Sequence, residues 1–215
     1  MAGLDQLSLY NRALLHTGSR FLSDLSEEVE TRRLLDQVWS DGAVDACLEM
    51  GQWYFAMRGI RLDYEPSIEP DFGYRRAFTK PDDWILTSSL AEDEFFRSPL
   101  LRYTDEAGYW YADQDTIYIR YVSNDPTFGG TVATWPKSFY NYVSWYLAKA
   151  IIDKLTDDAE KIKLCIESEK HALMEAKNRA AMALPTQFPA QGTWTRARQR
   201  FLNRRDGGNT GRLIG

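Results

Sequence analysis

Carboxylates are the residues of this chain that could most readily do chemistry. Asp82, Asp83, Glu92, Asp93 and Glu94 gather in its middle third. Two such acids hydrolyse a glycosidic bond when their environments differ and their separation fits a sugar. Spacing along the chain supplies neither condition, and solvated surface acids account for the same residues. The two histidines, His16 and His171, stand apart from each other and from the cysteines, with no HExxH and no metal-ligand spacing. His171 lies among acidic and basic neighbours and reads as a solvated helix residue. No GxGxxG or GxxxxGK motif offers a phosphate cradle, and no serine stands in a GxSxG. Gly129-Gly130 reads as a hinge or turn. No catalytic, metal or cofactor residue is assigned, and the chain is read as a non-enzyme without a cofactor.

Cys47 and Cys165 fall on apolar helix faces without CxxC spacing, which fits free thiols acting as small hydrophobes. The first eighteen residues lack a basic region followed by an apolar run, so no signal peptide is expected. No stretch reaches the ~20 apolar residues of a membrane span, so no membrane partner is expected. Charge is divided unevenly. The formal net charge is −5, yet residues 186–215 hold six Arg and one Asp, +5, which leaves −10 for the rest. An acidic body with a basic tail implies a separate partner for the tail. Arg196, Arg198, Arg200, Arg204 and Arg205, with Phe201, Leu202, Leu213 and Ile214 as apolar anchors, would contact it. DNA phosphate or a protein surface could each be that partner, and a docking arm ordered on binding is the preferred reading.

The elements that must position these residues are mostly helical. Residues 134–184 form the organising stretch, an antiparallel pair of long helices. Phe139, Val143, Tyr146, Leu147, Ala150, Ile151 and Leu155 share one face of the first, with Pro136 in its first turn. Asp157 and Glu160 mark the restart, and Ile162, Ile166, Leu173, Ala176, Ala180 and Ala183 form a second stripe interrupted at Glu169. Residues 4–17 predict a helix with Leu4, Leu7, Asn11, Leu14 and Leu15 on one side, stopped by Gly18. Residues 26–51 predict one long helix, with Gly42 inside it for close packing. From Trp53 onward strand patterns take over. Strands are expected around 55–62 and 74–78, a turn or short helical start at 80–86, and a β-hairpin whose two runs, Leu101, Tyr103, Tyr109 and Tyr111 and then Ile117, Ile119 and Tyr121, are joined by Asp113-Gln114-Asp115. The fold class is therefore α+β: an antiparallel helical bundle with a β-rich insertion and an extended C-terminal arm. Its parts are residues 1–52, the insertion 53–133, the helical hairpin 134–185 and the arm 186–215.

Three ordered stretches carry a resemblance. They are Leu9-Tyr10-Asn11-Arg12-Ala13-Leu14 with Glu49-Met50-Gly51-Gln52-Trp53-Tyr54-Phe55; Tyr74 through Trp84, with Lys80-Pro81-Asp82-Asp83 at its end; and Ile117 through Val122 followed by Trp135-Pro136-Lys137-Ser138-Phe139 and Leu147 through Ile151. In order and spacing, over residues 4–184, the chain resembles the head-to-tail adaptors of tailed bacteriophages, also called tail tubular protein A or gatekeeper proteins. The resemblance implies a virion protein, made in the host cytoplasm, that forms a ring beneath the portal protein, usually of twelve copies. It implies C-terminal segments that grip the portal, a β-rich part facing the tail nozzle or next tail protein, and DNA passing through the ring without specific binding. Trp110, Tyr142 and Trp145 are candidate exposed aromatics between ring neighbours, with core packing as the alternative. A glycan-degrading tail hydrolase and a DNA-binding protein acting through the basic arm are the alternative functions.

Overall fold

The structure, a computed structural model, describes residues 5–183. Helix α1 (Gln6–Thr17) begins where the Asp5 carboxylate accepts the N–H of Ser8 at 2.8 Å. It ends at Gly18, whose φ of 74° is the left-handed value that glycine adopts without penalty. The buried side is Leu9, Tyr10, Ala13 and Leu14, rotated from the expected one; Leu15 is exposed. Asn11 has a different role, since its side-chain amide grips both the N–H and the C=O of Leu22 and ties down the link that follows.

The long helix expected over 26–51 is two helices, α2 (Glu30–Ser40) and α3 (Ala43–Glu49). Gly42 separates them at φ 88°, and a Cβ there would meet nothing within 4 Å. Its glycine therefore serves backbone conformation rather than the close approach of another helix.

Helix α4 (Lys137–Leu155) is the centre of the helical part. Phe139, Tyr140, Tyr142, Val143, Ser144, Leu147, Ala148, Ile151 and Ile152 are all buried, and α1, α2, α3 and α5 each pack on it. Pro136 stands just before the first turn, as the N-cap. Helix α5 (Ala159–Ala183) restarts at Asp158, one residue later than expected, where the carboxylate accepts the N–H groups of Glu160 and Lys161. The α4–α5 pair forms as expected, but Glu169 does not interrupt the buried stripe. It belongs to it, with Cys165, Ala172, Ala176 and Ala180, and faces Lys149 Nζ at 3.4 Å. Ala183, expected on the stripe, is exposed.

Between α3 and α4 lie two three-stranded antiparallel sheets. In the first, β6 (Thr116–Ser123) runs between β1 (Met57–Asp63) and β3 (Trp84–Ala91); in the second, β5 (Tyr109–Ala112) runs between β2 (Arg76–Thr79) and β4 (Thr104–Glu106). The expected hairpin of 109–111 with 117–121 is therefore wrong: the two runs belong to different sheets. Asp113 and Asp115 instead secure the crossing, the first accepting the N–H of Arg75 and the second pairing with Arg76 at 2.8 Å. The hairpin that exists joins β4 to β5 through Ala107 and Gly108, both at positive φ (51° and 82°), the two-residue turn whose twist suits flanking strands. At 80–86 only Pro81–Asp83 turns, and the chain enters β3 at Trp84.

Both sheets contribute to one core of Phe78, Leu90, Leu100, Trp110, Ala112, Ile117, Ile119 and Tyr121. The helices share another, centred on Trp53, Phe139 and Tyr142, which Val122 joins and against which Met57, Ile85 and Leu86 pack. One end of the first sheet thus continues the helical core.

Candidate interaction surfaces and polar clusters

The acids of the insertion are held by local partners. Asp83 accepts hydrogen bonds from Arg58 at 2.8 Å, from the Tyr121 hydroxyl at 3.1 Å and from the Ser123 hydroxyl. Its burial opposes ionisation, but the hydrogen bonds from Ser123, Arg58 and Tyr121 outweigh that and hold the carboxyl below its ordinary value. A general acid needs the opposite environment. Asp93 spends its carboxylate on the N–H groups of Arg97 and Ser98, and Glu92 accepts from Gln114. Asp82 and Glu94 are exposed. Asp82 and Asp83 thus face different environments, the one solvent and the other Arg58 with two hydroxyls.

A second polar cluster lies beside the sheet core. Lys80 pairs with Asp105 and sits 3.6 Å from the centre of the Trp84 ring, while Asp105 also accepts the Trp110 indole N–H at 3.0 Å. Lys80 and Asp83 stand at either side of the Pro81 turn, so both ends of Lys80-Pro81-Asp82-Asp83 are pinned. Cation–π contact and the ion pair together fix a lysine whose side chain is only 9% exposed.

The segment 123–135 links this region to α4. Ser123 C=O accepts the N–H of Gly129, Trp135 donates its indole N–H to Gly129 C=O at 2.7 Å, and Asn124 reaches Asp45 on α3. A Cβ on Gly129 would lie 2.5 Å from Ser123 O, and one on Gly130 2.1 Å from Asn124 O. Gly129-Gly130 is therefore a packed wedge within a turn, the second of the two expected readings, and not a hinge.

The expected interface aromatics separate into two kinds. Trp110 and Tyr142 are fully buried, each inside a core, so neither is an exposed contact for a neighbouring copy. Trp145 is half-buried and stacks on His16, ring centres 3.6 Å apart and 11° from parallel. Ser144 donates its hydroxyl to Asn141 C=O, so His16 Nε2 is the donor in its 3.1 Å contact with Ser144. Burial, with Arg12 adding to it, pushes His16 down to about 4. His171 is exposed. Cys47 and Cys165 are buried free thiols, and burial pushes Cys47 up to about 12. Arg196, Arg198, Arg200, Phe201, Leu202, Arg204, Arg205, Leu213 and Ile214 lie outside the described residues.

Two surface features had no signature in the sequence. One is a groove of about 670 Å³ bordered by Tyr54, Pro136, Lys137, Glu175, Arg179 and Met182. The other is the loop 92–98, which displays Phe95. Exposure of a single aromatic is a property of packing that residue type does not encode, although the run Glu92-Asp93-Glu94 beside Phe95 does mark a turn on the surface.

Among the described residues no group of three or more His, Cys, Asp or Glu could hold a metal ion, and no helix is long and apolar enough to cross a membrane. No protein-family model matches the chain, and no curated protein matches it significantly.

Proposed function

We propose that this chain is a structural virion protein, a head-to-tail connector that forms a ring beneath a portal protein, joins it to the tail and lets DNA pass. One observation carries the reading. The residues behind the adaptor resemblance are the ones that build this fold. Leu9, Tyr10, Ala13 and Leu14 are the buried face of α1, and Trp53 closes α3 by donating its indole N–H to Leu48 C=O at 3.0 Å. Lys80 and Asp83 pin the turn into β3, Ile117–Val122 forms most of the central strand β6, and Trp135, just before α4, joins Phe139, Leu147, Ala148 and Ile151 of α4 in the helical core. That the residues carrying the resemblance hold structural positions supports the architecture it implies: a helical bundle, a β-rich insertion facing the tail and an extended C-terminal arm.

The charge division fits the same reading. A body carrying −10 lets DNA slide without sticking, while an arm carrying +5 supplies charge-assisted contacts to the portal. Ordering such an arm costs roughly 1–2 kcal/mol per residue in backbone entropy, which repeated contacts around a ring would offset. No step of this function requires a reaction, and the setting of Asp83 beside Arg58 disfavours the Asp82-Asp83 pair as hydrolytic machinery.

The test is native mass spectrometry of the purified chain, alone and mixed with the portal protein of the same genome. The expected result is a portal-dependent multi-copy ring that is lost on deleting residues 186–215. Binding that survives the deletion would move the portal contact to the helical body. Absence of association in both forms would overturn the connector reading. Release of reducing sugar, or salt-dependent DNA retention weakened by replacing Arg196, Arg198 and Arg200, would then decide between the alternatives.

A further inference from the structure

The loop 92–98 holds an aromatic ring in solvent and is built to do so. Phe95 is 66% exposed. Behind it, Asp93 accepts the N–H groups of Arg97 at 3.0 Å and Ser98 at 2.7 Å, and the N–H of Glu92 donates to Ser98 C=O at 3.0 Å. Phe96 adopts φ 55°, a left-handed conformation that a bulky residue rarely takes, and its ring lies 4.1 Å from the Arg120 guanidinium carbon. Backbone strain of this kind persists where surrounding contacts over-determine it. Phe95 is thereby presented at little further entropy cost, the property of an interface anchor. Glu92, Asp93 and Glu94 surround it, with Arg97 5.2 Å from its ring centre, so the knob is net acidic.

The groove at the other end of the chain has complementary character. Tyr54, Pro136 and Met182 give it apolar walls, and Met182 is 85% exposed. Arg179 pairs with Glu175 at 3.0 Å, which leaves Lys137 as a cation without an ion pair among the described residues. Helix α4 starts at Lys137 with no side-chain cap, so its positive dipole end adds to the same rim. Its 670 Å³ is ample for one aromatic side chain.

No hydrogen bond, ion pair or aromatic contact among the described residues joins the knob to the groove of its own chain. Tyr54 precedes β1 at the end of the sheet that packs on the helices, whereas the loop follows Ala91, after β3 has run roughly 20 Å away from Trp84. We propose that the Phe95 loop of one copy seats in the Tyr54–Met182 groove of the next, its acidic collar against Lys137. The proposal rests on the reading of the chain as one copy in a ring, and gives that ring the two unlike surfaces a head-to-tail contact requires.

Disulfide trapping of the purified chain alone tests it. Ser98→Cys places a thiol beside the knob and Ala183→Cys one at the groove, while the native cysteines are buried. Under mild oxidation, a mixture of the two single variants should form the mixed dimer roughly tenfold faster than Asp71→Cys paired with Ala183→Cys, because the contact raises effective concentration. The chain carrying both cysteines should give a ladder of trimers and higher forms. Phe95→Ala should return the rate to the control value, and circular dichroism should show its fold unchanged because the side chain is exposed. Lys137→Glu should slow the reaction and Glu94→Lys should restore it. Equal rates for both pairs, or a rate indifferent to Phe95, would overturn the contact. Portal protein is absent throughout, so a ladder without portal binding would retain self-assembly and remove the connector, whereas portal binding without a ladder would retain the connector and remove this contact.

Discussion

In the sheet core, the buried polar aromatics Trp110 and Tyr121 each hand their polar atom to a carboxylate, Asp105 and Asp83. In the helical core Tyr142 is as deeply buried, and its hydroxyl has at most the weak Cys47 thiol as a partner among the described residues. The two regions also differ in what encloses them. Helix α4 is surrounded by four helices and gains from apolar contact on almost every side, with Phe139 touching the rings of Trp53, Phe55, Trp135 and Tyr142. Two three-stranded sheets bury fewer side chains, and polar ties join their elements. The Asp83 cluster links β1, β6 and the turn before β3, and Lys80 with Asp105 links the end of β2 to β4. The helical region rests mainly on apolar contact, while the sheet region depends more on a few charged hydrogen bonds being satisfied.

The largest effect should come from the wedge that touches both regions. Gly130→Ala forces a Cβ into Asn124 O and should cost about 3 kcal/mol. Chemical denaturation followed by both near- and far-ultraviolet circular dichroism should show one shifted transition. Two separated transitions would show that the regions unfold independently.

An intermediate effect separates the regions by pH. Asp83 is held below its ordinary value, so its contribution is present above the usual carboxylate range and is lost as pH falls through the lowered folded value. His16 is also depressed, from 6.5 to about 4, so the folded state resists its protonation. Its contribution is complete above 6.5 and is lost progressively between 6.5 and about 4. Asp83→Asn should lower stability by about 2 kcal/mol at neutral pH, with the gap to the parent closing only in stronger acid. His16→Gln should flatten the parent's slope between 6.5 and about 4. Melting curves across pH check both, and an unchanged slope in the histidine variant would remove the helical region's separate titration.

The smallest effect concerns the buried tyrosine. Tyr142→Phe removes a hydroxyl with at most the weak Cys47 thiol as partner while keeping the ring, and should be neutral or stabilising by about 1 kcal/mol. A loss greater than that in urea unfolding would show a hydrogen bond to that hydroxyl.

Helices α4 and α5 could be read from the chain because their apolar residues repeat at the helical period, with Pro136 before the first and Asp157, one residue short of the actual Asp158, before the second. Less could be read where tertiary contacts decide. Gly42 sits within an unbroken helical pattern, and only its positive φ divides that helix. Glu169 looked like an interruption because its partner, Lys149, is twenty residues away on α4. Strand β3 escaped notice because register shifts at Trp84/Leu86 and Thr87/Ser89 break the alternation that identifies a strand. The β5–β6 runs do alternate, but alternation marks a strand without naming its neighbour, so residues adjacent in sequence were joined into a hairpin they do not form. Of the candidate contacts, aromatic type pointed to Trp110, Tyr142 and Trp145 alike, and two of the three are interior. The groove could not be read at all, because Tyr54 and Met182 come from distant stretches.

The order of the strands along the chain carries a consequence for how the protein is made. The first, third and sixth strands belong to one sheet, and the second, fourth and fifth to the other. The second sheet can be complete once residue 112 has been synthesised, but the first needs residue 123, and β1 must wait for a partner that pairs Met57 with Val122. Closing such loops before any pairing stabilises them slows folding. Helix α1 and the α2–α3 pair can form early from local contacts, but α4, the helix they cover, comes later still. A nascent chain released before α4 therefore exposes strand edges and helix faces together, and a newly made copy is most prone to aggregate in the interval just before its central helix arrives.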